Sequence, residues 1–225
     1  MTPFHVARWS PPPESVEALV VRAQRIAGHT LGDLAAWLGA GVPDDLRRAK
    51  GWPGELVEAA LGASSGSRAE PDFPGLGVEL KTLPVDPAGV PREATHVCTA
   101  PLDGSLGWSW LASWPCRKLA RVLWVPIVSG PGDPPAARRV GSPRLWSPDE
   151  EEAAELAADW AELCDALLLG GAVAGFRGRA LQLRPKGASA AQVAWAQDAD
   201  ATWVLANPLG FYLNPAFTRR LLTKG

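Results

Sequence analysis

Hydrophobic positions along the chain follow two periods. Between residues 14 and 28, Val16, Leu19, Val20, Ala23, Ile26 and Ala27 recur at helical spacing and stop at Gly28, which predicts an amphipathic helix. Thr30, with Asp33 three residues on, can cap a short helix through Leu38. Pro53–Leu61 reads as a third helix, with Pro53 in its first turn and Gly62 just past its end. The period then changes to two. From Leu76 to Leu83, Val78 and Leu80 face one way and Glu79 and Lys81 the other, as in a strand with one face in the core. His96–Pro101 and Arg121–Val128 are further strand candidates. The second is a nearly unbroken apolar run fit for a buried strand, in which Pro126 belongs at an edge, a bulge or the strand's end. Ser147-Pro148-Asp149-Glu150 has the form of a capping box and opens a long amphipathic helix to about Leu169. Short strands at Ala180–Leu183 and Trp203–Ala206 and a last helix over Pro215–Leu222 complete the pattern. Ser129–Pro135 is a Gly/Pro-rich turn too short for a domain linker, and no repeat is found. The expected fold is a single α/β or α+β domain.

Composition narrows the class. With 225 residues, 47% of them hydrophobic and 20% charged, the chain can fill one core, split or not into two lobes, and is not wholly disordered. The longest weakly polar run, Ala166–Phe176, is far short of the roughly 20 residues of a membrane span. Met1–His5 lacks the charged and apolar regions of a signal peptide. A cytoplasmic protein with no membrane partner is therefore expected. Three cysteines without a C-x-x-C and three scattered histidines support neither a disulfide framework nor a zinc ribbon nor a multi-His metal site.

Charge changes the picture more. The net charge is −2, but Asp149 to Asp165 holds eight carboxylates and no Lys or Arg. Outside it, 16 acidic residues face 22 basic ones, gathered in clusters such as Arg47-Arg48-x-Lys50, Arg117-Lys118-x-x-Arg121, Arg184-x-Lys186 and Arg219-Arg220. Separated basic clusters brought to one face suit a polyphosphate; the alternative is an ordinary solvated surface. The acidic segment should face away from phosphates and is a candidate surface for a protein partner.

One constellation can do chemistry. In Pro71-Asp72-(x)6-Glu79-Leu80-Lys81, Glu79 and Lys81 lie two apart on a strand and share a side, and Asp72, at the end of the preceding turn, can reach the same place. Two carboxylates and the backbone carbonyl of Leu80 are hard oxygen ligands of the kind Mg²⁺ takes. Lys81 beside them can orient water and offset phosphate charge. Chance alone gives roughly 0.5 acid-x-Lys pairs in such a chain, so the ordinary alternative, a surface strand with a solvated Glu–Lys pair, stands beside it. Glu58, off the apolar stripe of the Pro53–Leu61 helix, can lean toward the same site, and Lys118 can touch a phosphate. Gly62-Ala63-Ser64-Ser65-Gly66 matches the G-x-S-x-G elbow of serine hydrolases, but a helix precedes it where a strand is required, and it reads as a small-residue loop. Most of the eleven tryptophans are read as core or interface.

Taken together, Lys50-Gly51-Trp52, Leu61–Ser67, Asp72-Phe73, Leu76–Thr82, Lys118-Leu119-x-Arg121-Val122-Leu123-Trp124, Arg139–Pro143, Leu145–Pro148, Arg184-Pro185-Lys186 and Gly210–Leu213 resemble the MutH family of DNA mismatch-repair endonucleases over nearly the whole chain. The resemblance implies a restriction-endonuclease-like (PD-(D/E)xK) α/β fold, a mixed sheet flanked by helices, with two lobes of a single endonuclease domain around a DNA-binding cleft. It implies Mg²⁺-dependent nicking (one ion or two) of the unmethylated strand at hemimethylated GATC sites in double-stranded DNA. MutL would be the direct partner and MutS an indirect one, with a monomer as the expected state. Asp72 and Glu79 fall on the family's metal ligands, Lys81 on its catalytic lysine, Glu58 on a glutamate near the metals and Lys118 on an active-site lysine. Arg184, Pro185 and Lys186 fall on the loop that reads the bases, Tyr212 on a residue tied to sensing adenine methylation, and Lys50 on a DNA contact. Competing expectations are a type II restriction enzyme cutting both strands of unmethylated GATC, and a non-catalytic DNA-binding module. The single core favours repair over restriction, and the intact acid-and-lysine set speaks against the module.

Overall fold

The computed structural model describes residues 11–64, 70–100, 109–168, 175–186, 194–197, 203–206 and 208–223. The chain divides into two compact units, Met1–Arg92 with Arg121–Ser147, and Glu93–Ala120 with Pro148–Gly225.

Among the described residues, the first unit holds three α-helices and a sheet. Helix α1 (Val16–Ile26) is capped by Ser15, whose side chain accepts the Ala18 N–H. Helix α2 (Leu31–Leu38) opens with the predicted reciprocal cap: Asp33 N–H donates to Thr30 Oγ1 (3.0 Å) and Thr30 N–H to Asp33 Oδ2 (2.8 Å). Helix α3 (Trp52–Leu61) carries Pro in its first turn and ends on Gly62 at φ 82, a left-handed cap suited to glycine. Strand β1 (Glu79–Val85) runs parallel to β3 (Val122–Val128), in the register Glu79↔Val122 to Val85↔Val128. On the far side of β3 lie two short antiparallel strands, β4 (Arg139–Val140) and β5 (Arg144–Trp146). Pro126 stands mid-strand, where the β5 pairing has ended and the β4 pairing has not begun, and its carbonyl accepts the Gly141 N–H there (2.7 Å). The missing donor falls in that gap. Leu19, Ile26, Leu34, Leu56, Leu61, Leu80, Leu123 and Ile127 close one core between helices and sheet.

The second unit is built on the antiparallel sheet β2 (Thr95–Thr99), β9 (Leu209–Leu213), β6 (Leu181–Pro185), in that order. In a further two-stranded sheet β7 (Ala194–Gln197) pairs antiparallel with β8 (Trp203–Ala206). Its helices are α4 (Trp114–Leu119), α5 (Glu150–Leu168) and α6 (Pro215–Thr223). Trp160 of α5 packs on Phe211 and Trp110, with ring centroids 5.3 and 5.9 Å apart.

The cap of α5 lies two residues beyond the expected Ser147: Asp149 N–H donates to Glu152 Oε2 (3.1 Å) and Glu152 N–H to Asp149 Oδ1 (2.9 Å). Both tetrapeptides fit the motif, but a carboxylate at each end satisfies two backbone donors with charged acceptors. Helix α4 and strands β4, β5, β7 and β9 were not foreseen from the pattern. The predicted strand end Pro101, helix end Leu169, and Ser65, Gly66 and Ser67 of the small-residue loop lie outside the described residues. Among the described residues no helix is long and apolar enough to cross a membrane.

Candidate active site

The first unit brings Asp72, Glu79, Leu80, Lys81 and Glu58 together. Asp72 is drawn to β1 by a tight turn: Phe73 and Val78 exchange backbone hydrogen bonds (2.9 and 3.3 Å) around the 3₁₀ turn Pro74–Leu76, which closes on Gly77 at φ 61. The turn leaves Asp72 Oδ2 accepting the Leu80 N–H at 2.7 Å. Ser64 N–H donates to the Asp72 carbonyl (3.0 Å), tying the segment after α3 to the same point.

Glu79 and Lys81 share the β1 face opposite the Leu80 core contact. Glu79 is only 3% exposed, and Lys81 Nζ donates to its Oε1 at 2.6 Å. A solvated Glu–Lys pair is thereby excluded. A carboxylate in that position is kept from water by the fold, and such groups are retained at a cost.

Glu58 reaches the same neighbourhood from α3, whose Gly54 lies close to Thr82 of β1. Burial first, and then the charge of Asp72, push the Glu58 carboxyl up to about 7, with Lys81 opposing and Glu55 and Glu79 adding to the rise. Three carboxylates thus repel one another in a poorly solvated place, and hard oxygen donors with excess negative charge are what Mg²⁺ takes. The donor chemistry fits the ion. Among the described residues, however, no three His, Cys, Asp or Glu side chains stand in metal-holding geometry; in this arrangement Lys81 engages Glu79 and the Leu80 amide engages Asp72.

The remaining sequence candidates lie on other segments of the chain. Lys50 is exposed in the turn before α3. Lys118 is half-buried in the last turn of α4, in the second unit. That unit also gathers the base-reading candidates on adjacent strands. Arg184 pairs with Gly210 across β6 and β9, and its guanidinium lies 5.4 Å from the centre of the Tyr212 ring. Arg184, Pro185 and Lys186 are all exposed. Lys186 donates from Nζ to Thr99 Oγ1 (2.6 Å) and from its backbone to the Pro208 carbonyl (2.6 Å). His96 meets Tyr212 edge to face at 5.2 Å. Thr99 and His96 were missed in the sequence; cross-strand register, which the sequence does not state, is what brings them there.

The chain resembles known proteins along almost its full length. A family model described as the DNA mismatch repair enzyme MutH matches residues 61–159, a span that holds Asp72, Glu79, Lys81 and Lys118. The DNA mismatch repair protein MutH of Klebsiella pneumoniae strain 342 is 48% identical over 97% of this chain and 96% of its own. That of Enterobacter sp. strain 638 is 50% identical over 95% and 94%, and that of Escherichia coli strain K12 / DH10B 49% identical over the same shares. The chain belongs to the MutH family. Its fold is restriction-endonuclease-like, and the parallel β1–β3 pair extended by antiparallel β4 and β5 is the mixed sheet of that fold. Membership of MutH makes it a DNA mismatch-repair enzyme.

Proposed function

We propose that this MutH chain is a Mg²⁺-dependent endonuclease that nicks the unmethylated strand at hemimethylated GATC sites and is activated by MutL in mismatch repair. The observation that carries the reading is the Glu79–Lys81 ion pair, buried on β1 with Asp72 fastened to the same strand by the Leu80 amide. Asp72, Glu79 and the Leu80 carbonyl would hold the ion, with Glu58 as a further acid close by. When bound, Mg²⁺ supplies charge stabilisation to the phosphate and a more acidic water. Lys81 adds its ammonium charge beside the phosphate and can orient the attacking water; Glu79 keeps that ammonium aimed. Lys50 and Lys118 would contact phosphates, which sets register and not sequence. Arg184 can bond guanine O6 and N7 together, while the rigid Pro185 and the ring of Tyr212 offer apolar surface to an adenine methyl, with Lys186 beside them.

The test is a plasmid nicking assay with Mg²⁺ on unmethylated, hemimethylated and fully methylated GATC, with and without MutL. Single-strand nicking of hemimethylated DNA, stimulated by MutL and absent on fully methylated DNA, is expected. Rapid double-strand cutting without MutL would make the chain a restriction enzyme, and specific binding without cutting in any condition would make it a DNA-binding module.

A further inference from the structure

Helix α5 carries a carboxylate that does not face water. Asp159 is 3% exposed, although it lies in the most acidic stretch of the chain. Its two oxygens accept three consecutive backbone donors 20 to 22 residues downstream: Oδ1 takes the Arg179 N–H at 3.0 Å, and Oδ2 takes those of Ala180 at 2.6 Å and Leu181 at 2.7 Å. These donors form the head of a hairpin. Gly178 N–H donates to the Leu181 carbonyl, Leu183 N–H to Phe176 and Gly175 N–H to Leu183, so residues 175–183 fold back on themselves with their tip on the carboxylate. Gly178 packs so tightly there that a Cβ would overlap the Asp159 carboxyl. Ala180 is held from its other side too, its carbonyl accepting the Asn214 N–H at 2.7 Å. Three residues past Leu181, β6 delivers Arg184, then Pro185 and Lys186.

We propose that Asp159 is a specificity-determining positioning residue: by clamping the tip at 179–181 it sets the register and aim of the segment Arg184–Lys186 toward the bases of duplex DNA. This rests on the reading of that segment as the base-contacting one. A charged acceptor binding three amides is strong and directional. A side chain that must meet two acceptors on one base within a few tenths of an ångström needs such a rigid support. Asp159 itself touches no DNA in this account.

The test compares the full chain with D159N, G178A and R184A. D159N keeps the shape but loses the charge and one acceptor; G178A keeps the carboxylate and displaces it. Nicking rates in Mg²⁺ are measured on duplexes bearing GATC and on duplexes with one base of that site replaced. Amide exchange is followed at residues 179–181 and, as a control on folding, in β3. D159N and G178A are expected to lower the ratio of cognate to altered-site nicking at least about tenfold, as R184A does, to speed exchange at 179–181, and to leave β3 protected. If R184A loses discrimination while D159N and G178A keep it, the clamp is overturned and the base-reading segment stands. If R184A keeps discrimination, that reading and the inference fall together. Exchange accelerated in β3 as much as at 179–181 would make Asp159 a general stabiliser and also overturn the proposal.

Discussion

Lys81 and Glu79 form a largely buried ion pair, and taking two charges out of water costs folding free energy. With both side chains largely out of water and 2.6 Å apart, each depends on the other's charge. Lys81→Met alone should therefore destabilise the protein by roughly 3 kcal/mol in urea unfolding, while Glu79→Gln with Lys81→Met should recover most of that and still not nick DNA. Additive losses in the double variant would show that the two charges do not support each other. Glu58 gives a pH prediction. Its carboxyl titrates near 7 in the folded protein against 4.5 for the ordinary group, so across that window the native state holds a proton the unfolded chain has released. Stability from this group is highest below the lower value and declines as pH rises through the upper one. In the presence of a chelator, Glu58→Gln should flatten that decline between about pH 5 and 7; an unchanged slope would contradict it. The acid-and-lysine set was legible from spacing as a candidate, because period two puts Glu79 and Lys81 on one side, with a solvated surface pair as the standing alternative. Its burial was not, since what covers β1 comes from segments distant in sequence. Asp159 was hidden among eight carboxylates, though Leu156, Trp160 and Leu163 around it trace a buried stripe that it joins.

At the level of elements, what could be read followed from local signals. The helices α1, α2 and α3 announce themselves by periodicity and by their caps, and β1 and β3 by alternation and by an apolar run. Strand β9 did not, because Pro208 and Gly210 look like a turn when its two partners are unknown. The start of α5 was misplaced because two overlapping tetrapeptides both carry the signature. Asp149→Ala should cost about 1 kcal/mol of stability, and Ser147→Ala close to nothing; a larger loss from Ser147 would restore the earlier cap. The acidic stretch is also less available to a partner than its composition suggests. Asp149 and Glu152 cap the helix, Glu155 pairs with Arg220, and Asp159 holds the 179–181 tip. A docking surface there would have to rest on the remaining acids, with Glu151 and Glu162 among them.

Across the whole molecule, the acid-and-lysine set lies in the first unit, and the Arg184–Lys186 segment and Tyr212 lie in the second. Ordered motifs scattered over the sequence resemble those of the MutH family, and motifs of this kind are legible because each lies within a short segment. The two-unit division was harder to read, as the chain crosses between units at residues 92, 120 and 147 without a linker. The central claim is that Asp72, Glu79 and Lys81 are where a phosphodiester is cut. The most direct measurement is single-turnover nicking of a supercoiled plasmid with one GATC site in Mg²⁺ by wild type and by Asp72→Asn, with binding to the same site measured in parallel. The account predicts open-circular product from the wild type, a loss of at least about a hundredfold in Asp72→Asn, and similar binding by both. Nicking by Asp72→Asn at the wild-type rate would contradict it.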